Sequence, residues 1–163
     1  MSWEIRPAQL DDDARLAALD RRCWSVLADV GPARAAGVPF FGPGQDARDV
    51  LVASDRRALV GWIKVVPATP LASTAHVRLI NGLGVHPDRR RSGIGRALID
   101  AAIELARDRQ ARKLNLRVLS TNAPAQALYA AAGFRVEGIL VEEFFLDGKY
   151  VDDILMTRPL LDP

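Results

Sequence analysis

Arg90-Arg91-Ser92-Gly93-Ile94-Gly95 stands between two unlike segments. Upstream lies an extended apolar run, Val77 to Val85; downstream lies a run of strong helix formers, Arg96 to Arg109. The glycines therefore mark the place where a strand and loop turn into a helix. A helix start leaves backbone N–H groups unpaired at the positive end of the helix dipole, and a di- or triphosphate can be cradled there without any side chain. Gly93 and Gly95 carry no Cβ, which lets an anion approach the main chain. Arg89, Arg90, Arg91 and Arg96 add positive charge around the same spot. The stretch reads as a pyrophosphate cradle; the plainer alternative is a glycine-containing turn with a solvated basic rim.

Working outward, the 163 residues form one domain, 1–163, long enough to bury a substantial core. Apolar residues make up 49% and charged residues 26%, which argues against disorder. With 22 basic and 20 acidic residues the formal charge is +2, too small an excess for a nucleic-acid partner. Cys23 is alone, so no internal disulfide can form, and His76 and His86 are too few for a zinc site; no metal is expected. The opening Met1 to Asp13 lacks a signal pattern, and no apolar run approaches the ~20 residues of a membrane span. The expectation is a cytoplasmic protein with no membrane partner.

In chain order, Trp3 and Ile5 alternate with Glu4 and Arg6 as a short strand ended by Pro7. Asp11 to Asp13 supply N-cap and first-turn carboxylates for a helix whose buried stripe is Leu16, Leu19, Cys23 and Val26/Leu27. Residues 29–45 read as irregular, with Phe40-Phe41 closing the core edge or lining a pocket. Val50 to Ala53 and Ala58 to Val66 form a hairpin. The strand from His76 to Val85 contains Gly82 and Gly84, which signal a bulge or a close approach by another backbone or a ligand. After the central helix, Leu114, Leu116 and Val118 alternate with polar residues as a further strand. Asn122 caps a short helix ended by Gly133, and Phe134 to Leu146 pairs with Lys149 to Thr157 around Asp147-Gly148. The order β-α-loop-β-β-β-α-β-α-β-β specifies an α/β fold with a mixed sheet.

Two stretches together carry a family resemblance. Arg90-x-x-Gly93-x-Gly95 matches the Q/R-x-x-G-x-G/A acyl-CoA signature of the GNAT superfamily of N-acetyltransferases, and Asn122 to Phe134 matches its N-x-x-A-x-x-L-Y-x-x-x-G-F signature. Ile5-Arg6-Pro7-Ala8 and the acidic helix start resemble the family's opening, so only residues 29–49 show nothing distinctive. A P-loop would need Lys-Ser/Thr after Gly95, where Arg96-Ala97 stand, and a Rossmann fingerprint would need glycine at Leu98.

The resemblance implies a twisted mixed central sheet of about seven strands with helices on both faces, acetyl-CoA as co-substrate and an amine as acceptor. It implies that the N–H groups of Arg91, Ser92, Gly93, Ile94, Gly95 and Arg96 hold the pyrophosphate alongside Arg90, and that main-chain groups of Leu83 and Val85 face the donor. The Leu83 N–H is the candidate for polarising the thioester carbonyl, and Tyr129 for protonating the departing thiolate. Asn122 either caps the Tyr129 helix or bonds pantetheine. The glutamate that many relatives place before the cradle is missing, because Arg78 to Gly84 holds no carboxylate. Glu142, Glu143, Asp152 and Asp153, acting remotely through water, and His76 are the candidate bases; the alternative is an acceptor that needs no strong base, and no base is assigned. A small-molecule amine acceptor is expected, attracted by the acidic closing hairpin. A protein amine and a non-catalytic acyl-CoA sensor are the alternatives, and the hairpin could pair across a homodimer.

Overall fold

The computed structural model describes residues 2–161. Its strands are β1 (Glu4–Pro7), β2 (Val50–Asp55), β3 (Ala58–Pro67), β4 (Val77–Val85), β5 (Lys113–Leu119), β6 (Arg135–Leu146) and β7 (Lys149–Pro159). Its helices are α1 (Asp13–Cys23), α2 (Ile94–Asp108) and α3 (Ala123–Ala131). The strands form one sheet in the order β1-β2-β3-β4-β5-β7-β6. Every pairing is antiparallel except β4 with β5, which α2 connects. The expected mixed seven-stranded α/β architecture is therefore present.

Alternation along β2 distributes the core to both faces. Leu51 and Ala53 join Leu98, Ile99, Ala102 and Ile103 of α2, together with Tyr129 of α3. Val50 and Val52 join Leu16, Ala17 and Leu19 of α1 on the other face. Phe40 is buried there edge-on to Trp62, with ring centroids 5.1 Å apart, so it closes the core edge.

The N-terminal carboxylates fall at the N-cap and first turn of α1, as Asp12 and Asp13, but the Asp12 side chain acts differently from the expectation. Asp12 is wholly buried and takes Arg6, Arg15 and the Gln9 N–H instead of capping α1 through its side chain. The Arg6 guanidinium holds its carboxyl below the usual carboxylate range. That contribution to stability is present above the ordinary carboxylate pKa and is lost as pH falls through the folded value. Helix α1 also stops at Cys23, short of the expected stripe, and Val26 and Leu27 are 56% and 41% exposed. The cause is a local competitor: Asp29 Oδ2 accepts the Ser25 N–H at 3.1 Å, and the Ser25 carbonyl accepts the N–H groups of Ala28 and Asp29. This side-chain turn displaces the helix.

The glycines of β4 answer to a side chain as well as to a bulge. Asn81 and Gly82 together stand opposite Lys64, and Gly82 adopts φ +121°. The Trp62 indole lies across the same strand. A Cβ on Gly82 would come within 2.5 Å of that ring, and one on Gly84 within 2.6 Å of its Nε1. Gly84→Ala should thus destabilise the fold by about 1–3 kcal/mol through overpacking. The penalty should shrink in a Trp62→Phe background, as measured by denaturant unfolding in a double-mutant cycle. An additive cycle would contradict the contact.

Candidate active site

β4 and β5 pair only from Val77–Ile80 to Lys113–Leu116. Beyond Ile80, β4 stays with β3 up to Val85, and β5 stays with β7 up to Leu119. The two strands therefore separate like the arms of a V. The His86 N–H donates to the Val60 carbonyl at 2.9 Å, so Gly84 and His86 direct their backbone groups toward β3. By alternation, Leu83 and Val85 direct theirs into the gap. Arg90 Nε lies 3.4 Å from the Val85 carbonyl.

At the mouth of the V, Arg91 and Gly93 adopt left-handed φ values of 59° and 86°, folding the chain into a concave nest before α2. The Arg90 N–H reaches the Pro87 carbonyl and the Ala97 N–H reaches Gly93. Between them, the N–H groups of Arg91 through Arg96 have no acceptor among the described residues. They gather at the positive end of the fifteen-residue helix α2. An amide-rich chain ending in a pyrophosphate fits this donor set. Gly95 departs from the expectation that its bare Cα serves an anion: a Cβ there would lie 3.3 Å from Leu128 and 3.7 Å from Val85, so it permits packing of α2 on α3 and β4. The arginine collar is also thinner than expected. Arg89 is paired with Asp55, and Arg96 is paired with Asp100 and bonded to the Ala131 carbonyl. Arg90 and Arg91 have no carboxylate partner among the described residues.

Two adjoining clefts of about 390 and 190 Å³ occupy the V and share Asp29, Trp62 and Arg117. The smaller brings Leu83, Asn122 and Tyr129 together, while the cradle residues and Val85 lie outside it. Tyr129 is buried edge-on to Phe134, and burial pushes its phenol up to about 12. It is fully protonated near neutrality, and its hydroxyl has no partner among the described residues. Asn122 Oδ1 accepts the Ala125 N–H at 3.3 Å and so caps α3. Its amide nitrogen has no partner among the described residues, leaving it available to the cleft.

The acidic hairpin supplies less than its composition suggests. Glu142 and Glu143 are exposed in a bulge of β6, and Asp152 accepts the Glu142 N–H. Only Asp153 of this group lines the cleft, buried and paired with Arg117. His76 is exposed next to the opposite end of β4, where its carbonyl accepts the Arg112 N–H. Asp29 and Trp62 were not among the sequence-derived candidates. Asp29 falls in the undistinguished segment, and only the glycines facing Trp62 hinted at a bulky neighbour.

A model described as the acetyltransferase (GNAT) family matches residues 14–134. The chain belongs to this family. The spermidine N(1)-acetyltransferase of Vibrio cholerae is 30% identical over 106 residues, 64% of this chain and 59% of that enzyme. The phosphinothricin N-acetyltransferase of Alcaligenes faecalis is 30% identical over 150 residues, 91% of this chain and 66% of that one. The matched segments thus span about three-fifths and two-thirds of these relatives. The fold of the Salmonella typhimurium yncA structure, solved with its cofactor acetyl-CoA, superposes with a TM-score of 0.82 at 19% identity, covering 100% of this chain and 96% of that one. No helix among the described residues of this GNAT protein is long and apolar enough to cross a membrane.

The nest generates a binding prediction. Gly93→Val places a β-branched residue at φ 86°, where only glycine is unstrained, so the donor array must reorient. Calorimetry should show at least a tenfold loss of acetyl-CoA affinity with the circular dichroism spectrum retained. Unchanged affinity would remove the cradle from the site.

Proposed function

We propose that this GNAT chain is an acetyl-CoA-dependent N-acetyltransferase whose acceptor is a small primary amine. The observation that carries the reading is the V between β4 and β5, with a free donor run at its mouth and Tyr129 in its inner cleft. Acetyl-CoA supplies the activated acetyl thioester. The Arg91–Arg96 N–H groups donate to phosphate oxygens, aided by the α2 dipole. The backbone groups of Leu83 and Val85 bind the amides of pantetheine as a sheet edge binds an added strand. The Leu83 N–H polarises the thioester carbonyl, and Tyr129 gives its proton to the departing sulfur. Burial keeps the phenol protonated at neutral pH, so its proton is present when a thiolate develops beside it.

The size of the clefts supports a small acceptor, and the relatives named for spermidine and phosphinothricin support an amine. The reading places the enzyme in the cytoplasm, where this donor circulates and a lone cysteine stays reduced.

Thiol release from acetyl-CoA across a panel of amino acids, polyamines and other amines tests the function. Release that requires an amine is expected; no release with any of them would leave an acyl-CoA sensor. Tyr129→Phe keeps the ring packing and removes the proton, so turnover should fall on the order of 10² to 10⁴ while donor affinity holds. A variant with wild-type kcat and chemistry rate-limiting would reduce Tyr129 to a core aromatic.

A further inference from the structure

The carboxylates that line the joined clefts are Asp20, Asp29 and Asp153. Arg34 holds Asp20 at 2.8 Å, and Arg117 holds Asp153. Asp29 has no basic side chain against it among the described residues. Its Oδ2 takes the Ser25 N–H at 3.1 Å, which fixes the carboxyl, and its Oδ1 has no partner among the described residues. Asp29 lines both clefts, the inner one together with Leu83 and Tyr129. Strand β4 offers no carboxylate from Arg78 to Gly84.

We infer that Asp29 is the general base that deprotonates the acceptor ammonium, an assignment that rests on the acetyl-transfer reading above. An alkylammonium with pKa ~10 carries no free lone pair at neutral pH in all but about one molecule in a thousand. Asp29 takes one proton from the ammonium. The freed lone pair forms the C–N bond to the acetyl carbon as the C–S bond breaks. The departing sulfur receives the Tyr129 proton, and the second nitrogen proton returns to Tyr129 through solvent. Asp29 then releases its proton to water, so one ammonium and one thioester give one amide, one thiol and one proton.

The surroundings agree with this role. Desolvation pushes the Asp29 carboxyl above its usual range against the Ser25 N–H bond, and the charge of Asp20 adds to the rise. The other titratable or charged groups facing the clefts are Cys23 on α1, Arg117 on β5, Tyr129 on α3 and Asp153 on β7. Trp62 and the β4 segment Leu79–Leu83 present none.

Asp29→Asn keeps an oxygen for the Ser25 N–H and removes the base. For an alkylamine acceptor, kcat/KM should fall on the order of 10²-fold or more at pH 7, and the deficit should narrow as pH approaches the amine pKa. Acetyl-CoA affinity by calorimetry should stay at the wild-type value, reporting an intact fold. In the free protein, carboxyl ¹³C NMR should show an aspartate titrating above the ordinary ~3.9 that is absent from Asp29→Asn. An undiminished kcat/KM, a loss equal at every pH, or the absence of that resonance would overturn the assignment. A wild-type protein that releases no thiol with any amine of the panel would instead overturn the acetyl-transfer reading, and this inference with it.

Discussion

The hydrogen bonds that β4 and β5 do not make are the constraint on which the site depends. A sheet interior seldom leaves backbone groups unpaired, because each costs free energy comparable to a lost hydrogen bond. Here the pairing ends at Ile80 and Leu116 while each strand keeps its outer partner. The extra residue at Asn81–Gly82 bends β4, and the Trp62 indole fills the space over Gly82 and Gly84. Apolar layers on both faces hold the rest of the sheet rigid around this opening, with α2 on one side and α1 on the other. The gap is thus built by packing that lies outside it.

Electrostatics follow the same division. The chain carries a formal charge of only +2, and Asp55 and Asp100 neutralise Arg89 and Arg96 beside the cradle. On the proposed reading, main-chain dipoles supply much of the attraction for an anion, through N–H groups unpaired among the described residues and the helix behind them. The Arg117–Asp153 pair places a buried carboxylate beside the larger cleft with its charge already matched. Asp29, which lines both clefts, is left without such a match.

Much of this was legible in the sequence where local chemistry dominates. The turn into α2 followed from glycines preceding strong helix formers. The closing hairpin followed from Asp147-Gly148, whose φ values of 50° and 76° fit a tight turn. The alternation of Leu114, Leu116 and Val118 gave β5 its buried face. What the sequence hid at the glycines is contact between residues distant in sequence. Gly95 reads as a bare Cα for an anion, and Leu128 packs against it; the β4 glycines read as a bulge or a close approach by another backbone or a ligand, and the bulge is present with Trp62 across it. Helical spacing ran past Cys23 because a single side chain, Asp29, offered the backbone a better turn. The same residue stayed hidden as part of the cleft because nothing around it forms a motif.

Backbone amide shifts report the central claim most directly. Titrating acetyl-CoA into ¹⁵N-labelled protein should move the amide resonances of Arg91 to Arg96, Leu83 and Val85 first and most, because the proposed reading turns those N–H groups to the donor and they lack partners among the described residues. Amides of β6 and the start of β4 should stay in place. Saturable binding that leaves the Arg91–Arg96 and Leu83 amides unmoved would contradict the account.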